Sequence, residues 1–385
     1  MTPKHDRLET EREEWVSDLE EPLAGLLALG LRLPLVSVVV TAFNGEQFIR
    51  ETLESVLAQT YRHFECFIVE DCSTDRTLAV VERFLEERPD PRFRLVRHEA
   101  NGGQLAGQIT GFQESNGEFI VYLDADDLLF PDALKDHLFF HLTCAPIVAM
   151  TCLDSAMIDQ DDVLLAGHHR EIKPLLWPWL HPRPERKQAW IRNGILDYDL
   201  VPSAACNAIL LTDEYYWTTQ SFMMFRRDAL ELILPAEKDM FRICADFYLV
   251  RMTHAFNATI MIHKTGGAYR LHASNHYSFR GLISAEQQSG DQTKSAWQCA
   301  ELGVLAARVI RERYDQFAAF YGTFHVSRAL LSLPRKAHTQ IFRPALKRCG
   351  WLAGIRFLGL AYLNHWLTGT RLRCGRAKRI LWAGH

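Results

Sequence analysis

The sequence predicts an α/β fold with a mostly parallel central sheet flanked by helices, plus a C-terminal helical extension. Three observations carry this. Short β-branched and aromatic runs recur between residues 36 and 123. A stretch with apolar residues at helical spacing follows each of them. Strand and helix alternate over residues 36–142, and such crossovers lay strands parallel with helices on both faces.

The elements read in order as follows. Val36–Thr41 (Val-Ser-Val-Val-Val-Thr) is the first core strand, and Gln47–Gln59 is a helix with Phe48, Ile49, Leu53, Val56 and Leu57 on one face. Glu65–Glu70 is the second strand, and Thr74–Glu87 the second helix. Phe93–Val96 is the third strand, Gly103–Glu114 a glycine-rich third helix, and Phe119–Leu123 the fourth strand. Pro131–His141 is a fourth helix with Pro131 in its first turn, where the missing N–H costs nothing. Ile147–Thr151 is a further strand, and Asp159-Gln160-Asp161-Asp162 a hairpin turn. In a sheet of this kind ligands sit at the carboxyl ends of the strands, where Thr41, Asp71 and Asp124 fall.

From 170 to 220 the pattern breaks into a stretch rich in Pro and aromatics, with Trp177, Trp179, His181, Trp190, Tyr215, Tyr216 and Trp217. We read it as irregular structure lining a cleft; the same residues would equally serve as core of an irregular segment. Residues 228–255 read as helix, 259–271 as strand and 296–385 as mostly helix.

Composition bounds the class. The 385 residues are 48% hydrophobic and 23% charged, which suits one large globular domain with additions. Net charge is -4, but residues 9–21 hold seven carboxylates, while twelve Lys and Arg follow Asp315 with no carboxylate among them. That basic tail, interleaved with Trp351, Phe357, Tyr362 and Trp366, fits an interfacial helix on anionic lipid or a solvated helical bundle. Nucleic acid is a poorer match because no recognition motif accompanies the charge. Nine cysteines without a Cys-x-x-Cys pair argue against a zinc site and a disulfide framework, and fit a reducing cytosol. The charged N-terminus lacks an apolar signal core, and the apolar stretches 23–40 and 350–368 are interrupted by Arg32, Pro34, Arg356 and His365, so no clean membrane span is expected.

Four segments carry candidate chemistry. Gly117–Asp127 runs from a buried strand into Asp124, Asp126 and Asp127. Clustered carboxylate oxygens suit Mg²⁺ or Mn²⁺ bridging to phosphates, or simply cap a following helix. Asp71 follows the second strand and could accept from a nucleobase N–H. Since Ser73, Thr74 or Asp75 can cap the next helix, Asp71 is left without a structural task. Asn101-Gly102-Gly103-Gln104 opens a helix either as a phosphate cradle or as a plain turn. Asp246, at a helix start, is a base or an N-cap. In Tyr269-Arg270-Leu271-His272, the arginine could hold phosphate and the histidine a metal, or both could be ordinary contacts.

Taken together and in order, residues 36–44, 70–77, 101–103, 124–127, Asp246 and 269–272 resemble the family 2 glycosyltransferases, over about residues 35–275. The resemblance implies a GT-A-type nucleotide-sugar-binding domain. An acidic helical extension would occupy 1–34, the nucleotide-sugar half 35–150, the acceptor half 151–280 and a basic helical region 281–385. It further implies that Thr41, Phe43 and Asp71 line the nucleoside pocket, with Asp71 on the base, and that Asn44, Asn101, Gly103, Asp124 and Arg270 complete the nucleotide-sugar contacts. Asp124, Asp126 and His272 would hold Mn²⁺ or Mg²⁺, Asp246 would be the catalytic base, and Asp127 would remain a cap for the segment leading to Pro131. Three departures stand out: Ala245 replaces the usual Glu before the base, Gly107 stands where many members carry Arg, and Phe43 replaces a more usual Tyr.

The implied activity is metal-dependent, inverting transfer from a nucleotide-diphosphate sugar, most commonly a UDP-sugar, to a saccharide or lipid-linked saccharide in polysaccharide or glycolipid synthesis. The implied place is the cytoplasm, at the inner face of the membrane with peripheral contact through the basic tail. The alternative is a catalytically inactive nucleotide-sugar-binding protein of this fold. A nucleotidyltransferase or a dinucleotide-dependent dehydrogenase would want a glycine signature after the first strand, and Thr41-Ala-Phe-Asn-Gly provides none.

Overall fold

The computed structural model describes residues 28–144, 147–168, 185–191, 194–201, 217–236, 238, 241–273, 275 and 292–332. The first half alternates as expected: β1 (Val36–Ala42), α1 (Ile49–Leu57), β2 (Phe64–Glu70), α2 (Thr77–Glu87), β3 (Phe93–Arg97), α3 (Gln104–Glu114) and β4 (Phe119–Asp124). Then come β5 (Leu128–Leu129), α4 (Ala133–Thr143), β6 (Met150–Asp159), β7 (Leu164–Ala166), β8 (Glu185–Ile191), β9 (Gly194–Val201) and β10 (Met223–Arg226). The rest is α5 (Arg227–Ile233), α6 (Ala245–Phe256), β11 (Thr259–Leu271), α7 (Gln292–Glu312) and α8 (Tyr314–Ser332), the last broken at Gly322.

The strands form one sheet in the order β3-β2-β1-β4-β10-β6-β11-β9-β8, with β5 on β11 and β7 on β6. The expected parallel arrangement covers β3-β2-β1-β4. Beyond β4 the sheet is mixed, because β10 runs antiparallel to both β4 and β6 while β6 and β11 are parallel.

Alternate strand residues feed two cores, one on each face. Val36, Val38 and Val40 pack with Leu53 of α1, Phe84 of α2 and Leu134 of α4. Val39, Ile120 and Tyr122 face the other way, onto Leu105 of α3, Tyr248 of α6 and Leu305 of α7. Burial on both faces explains why these strands read as continuous apolar runs.

Several boundaries differ from the sequence reading. The helix expected over 228–255 is two helices, α5 and α6, with a break at residues 234–244. Pro235, which cannot continue a helix, marks the break in the sequence. The strand expected at Ile147–Thr151 begins at Met150 and continues to Asp159, where the expected turn leads into β7. Helix α4 starts at Ala133 with Asp132 as N-cap, so Pro131 precedes the helix rather than opening it. The acidic N-terminus, Trp177, Trp179, His181, Tyr215, Tyr216 and the basic tail from 333 lie outside the described residues. Trp217 is described and belongs to the core: it is 4% exposed and its indole N–H donates to Thr259 Oγ1 at 3.2 Å.

Candidate active site

The acidic end of β4 lies beside the end of β1, since strand register pairs Thr41 with Asp124. Asp124 is held at three points: its backbone N–H donates to Ser221 Oγ at 3.1 Å, its Oδ1 accepts from Gln104 Nε2 at 2.9 Å, and Thr41 offers a further hydrogen bond. Burial raises its pKa to about 7, with the charges of Asp126 and Asp246 adding to the rise and the Gln104 and Thr41 hydrogen bonds opposing it.

Asp127 is not a helix cap. It is fully buried, its Oδ1 accepts from the Arg270 backbone N–H at 3.1 Å, and the N-cap position of α4 is Asp132. Burial, then the neighbouring Asp126 and Asp124, push the Asp127 carboxyl well above the usual range. The three carboxylates thus differ: Asp124 and Asp126 stay partly exposed at the strand end, and Asp127 is turned into the protein.

Strand β11 brings the Tyr-Arg-x-His segment to the same place. Its Ala268 pairs with Leu128 of β5, directly after the acidic run. His272 Nε2 lies 2.8 Å from Asp126 Oδ2, and its ring packs on Phe48 with centroids 4.8 Å apart. Arg270 is only 1% exposed. Its guanidinium donates to the Asp126 carbonyl at 3.0 Å, to Glu51 Oε2 at 2.7 Å and to Asp162 Oδ1 at 2.5 Å, and it lies 4.7 Å over the Phe48 ring. Tyr269 adds a hydroxyl whose pKa is raised by burial and by the four aspartates Asp127, Asp126, Asp124 and Asp246.

The Asn101-Gly102-Gly103 turn already holds an anion, the carboxylate of Asp71. Gly102 N–H donates to Asp71 Oδ1 at 2.8 Å and Gly103 N–H to Oδ2 at 2.7 Å, while His98 Nδ1 lies 2.6 Å from Oδ1. Asp71 therefore has a structural task, contrary to the elimination from the sequence, and Asp75 caps the next helix by accepting from Thr77 N–H at 2.9 Å. About four lone-pair positions exist on a carboxylate, and three are taken, so a base contact would use the remaining one. Asn101 donates to the Asp71 carbonyl at 3.2 Å and accepts from Arg242, so its side chain is committed to the turn. Gly103 is required for packing: its φ is +87° and an added Cβ would stand 2.5 Å from Arg242 Cα.

Phe43 is 48% exposed, a ring free to stack on a planar ligand. Asn44 has a positive φ of 51° and its Oδ1 accepts from Thr74 N–H at 2.8 Å, fastening the loop after β1 to the loop after β2. At Gly107, a Cβ would meet Thr41 Cγ2 at 3.0 Å, so the glycine lets α3 press against Thr41.

Asp246 occupies the first turn of α6, after Cys244, whose φ of 58° turns the chain into the helix. The preceding residue, Ala245, is fully buried and its N–H donates to Gln104 Oε1 at 3.0 Å. Sequence reasoning missed Gln104, Ser221, Glu51 and Asp162. Gln104 stood in the Asn101–Gln104 segment and Asp162 in the expected hairpin turn, but neither was given a site role there, and Ser221 and Glu51 sit in no motif.

Among the described residues, no three His, Cys, Asp or Glu side chains form a ready metal cluster. Asp126 and His272 are brought together, but Asp124 is turned to Gln104. The donor chemistry fits a hard divalent cation all the same: carboxylate oxygens with one imidazole, in a group of acids that repel one another.

An α/β sheet whose strand ends gather an Asp-x-Asp pair, a buried arginine and an aspartate on a facing helix is the architecture of a glycosyltransferase. Residues 37–198 match the Glycosyl transferase family 2 model. It is 27% identical over 258 residues to an uncharacterized glycosyltransferase of Nostoc sp., covering 67% of this chain and 71% of that relative. It is 35% identical over 114 residues to the putative teichuronic acid biosynthesis glycosyltransferase TuaG of Bacillus subtilis, covering 29% of this chain and 44% of TuaG, less than half of that relative's length. Among solved structures it resembles a mannosyltransferase from Pyrobaculum calidifontis in complex with GDP-Man and Mn²⁺, at 17% identity and a TM-score of 0.44, covering 92% of this chain and 89% of that one.

Proposed function

We propose that this chain transfers a sugar from a nucleotide-diphosphate sugar to a hydroxyl of a saccharide or lipid-linked saccharide, with inversion, in polysaccharide or glycolipid synthesis. The observation that supports this is the gathering of Asp124 at the end of β4, Asp126 with its Oδ2 2.8 Å from His272 Nε2, and Asp246 in the first turn of α6, near enough to add to the rise in the Asp124 pKa. In-line transfer needs a base on the acceptor side and cation-holding carboxylates on the leaving-group side, roles that Asp246 and the Asp124–Asp126 pair would take.

Phe43 would stack on the base, with Thr41 and Asp71 beside it. Asp124 and Asp126 with His272 would hold a divalent cation, which when bound supplies neutralisation of the leaving diphosphate. Arg270 braces Asp126 through its carbonyl, and it would reach the donor diphosphate only by leaving the Glu51 and Asp162 carboxylates that hold its guanidinium. Asp246 would accept the proton of the acceptor hydroxyl, which is a poor nucleophile without a base. In-line attack then inverts the anomeric centre, and one carboxylate base suffices where glycosidases use two.

The test is release of nucleoside diphosphate from a panel of UDP-, GDP- and dTDP-sugars with Mn²⁺ or Mg²⁺, first narrowed by thermal shift, since a ligand that binds the folded chain stabilises it. Turnover that needs the cation, with an inverted product by NMR, is the expected result. Donor binding without release or transfer, across saccharide and lipid-linked acceptors, would replace the enzyme with the inactive binding protein. Liposome pelleting with and without residues 333–385 tests the peripheral membrane contact at the cytoplasmic face.

A further inference from the structure

Two helix starts meet at the centre of the site. A helix leaves its first N–H groups without partners inside the helix. At the start of α3 the chain segment before α6 supplies them: Gln104 N–H donates to the Arg242 carbonyl at 2.8 Å and Leu105 N–H to that of Phe241 at 3.4 Å. At the start of α6 the favour is returned, because Ala245 N–H donates to the Gln104 side-chain oxygen at 3.0 Å. The other end of the same amide donates to Asp124 Oδ1 at 2.9 Å. The amide orientation is dictated by its partners, since only its oxygen can accept and only its nitrogen can donate.

We infer that Gln104 is a positioning residue for transfer: its single amide spans from the donor-side carboxylate Asp124 to the helix start that carries Asp246, and so sets the base relative to the donor. It does not touch the reacting atoms. Ala245 makes the link necessary. With no side chain there to make a contact, its backbone N–H gives the first residue of α6 its hydrogen bond to the donor half, beside the bonds from α3 to the Arg242 and Phe241 carbonyls. Small misplacements of a base cost rate steeply, because proton transfer demands a narrow range of distance.

The inference rests on the transfer reading above, and two variants test it. Gln104→Met keeps the shape and removes both hydrogen bonds; Gln104→Glu keeps an oxygen for Ala245 N–H and loses the donor toward Asp124. The methionine variant should lower kcat for transfer at least about tenfold with donor KM within about threefold, and should speed hydrogen exchange at residues 245–248 while β4 stays protected. The glutamate variant should leave exchange at residues 245–248 near the wild-type rate and raise donor KM, because it sets a further carboxylate against Asp124, which the uncharged methionine does not. A methionine variant with unchanged kcat, or with a raised donor KM alone, overturns the inference, as does unchanged exchange at Ala245. A wild-type chain that consumes no nucleotide sugar sinks the transfer reading instead, and the exchange comparison, which needs no turnover, tells the two failures apart.

Discussion

His272 Nε2 and Asp126 Oδ2 lie 2.8 Å apart, joining the end of β11 to the acidic turn after β4. Two groups proposed for one cation are thus each other's partner in the protein alone, and the cation would part them. His272→Ala and Asp126→Ala should each weaken Mn²⁺-supported donor binding at least about tenfold by calorimetric titration, and the double variant should lose less than the sum, since the two act as one unit. Donor binding that is unchanged in Asp126→Ala would remove the metal assignment.

Asp246→Asn should leave donor binding nearly intact and reduce transfer at least about a hundredfold, the usual scale of general-base catalysis. Titration of the donor together with steady-state transfer rates separates the two effects. A variant that transfers near the wild-type rate shows that another group takes the proton.

Gly103→Ala should destabilise the chain by about 1–3 kcal/mol, because a side chain is strained at its φ of +87° and its Cβ would run into the Arg242 backbone. At Gly167 a Cβ meets nothing within 4 Å. Gly167→Ala should therefore stay within about 0.5 kcal/mol, and urea unfolding of the pair checks the contrast.

Asp127→Asn should become increasingly stabilising as pH rises from about 4 toward 7. Burial and its acidic neighbours raise the folded pKa of Asp127 above the unfolded value of 3.8. Below that value both states are protonated and the variant gains little. Above it the unfolded chain ionises while the folded carboxyl keeps its proton. Wild-type stability then falls by about 1.4 kcal/mol per pH unit from this group, until the folded pKa is passed. Comparing variant with wild type at each pH cancels the buried histidines, among them His141, whose pKa burial lowers to about 3. Equal stabilities across the range would refute the assignment, and Mn²⁺ should shrink the variant's advantage if a cation sits beside these carboxylates.

Much of the site was legible because strand ends are legible. Thr41, Asp71 and Asp124 follow apolar runs too continuous to be anything but doubly buried strands, and the parallel alternation puts such ends at one edge of the sheet. The tasks of the residues there were less legible. Asp71 looked idle because the helix after it had other caps; its real partners, Gly102 and Gly103, lie 31 and 32 residues further on. Asp127 looked like a cap because it precedes a helix, yet the chain continues past it and buries it under Arg270, 143 residues away in sequence.

By itself, then, the sequence determined the alternating α/β half and the sheet edge where Thr41, Asp71 and Asp124 fall, and its resemblance to a family pointed to Asp124, Asp126, Asp246, Arg270 and His272 as the groups proposed for chemistry. Local patterning encodes the sheet and its edge, because strand and helix periodicity depend on neighbours a few positions apart. Only the tertiary structure decided who bonds to whom: that Gln104 joins Asp124 to the helix of Asp246, that Asp71 is held by the glycine turn, and that Glu51 and Asp162 hold the buried arginine. Those pairings depend on which loops the packed sheet and helices bring together, and hydrogen bonds between residues a hundred positions apart leave no period in the chain.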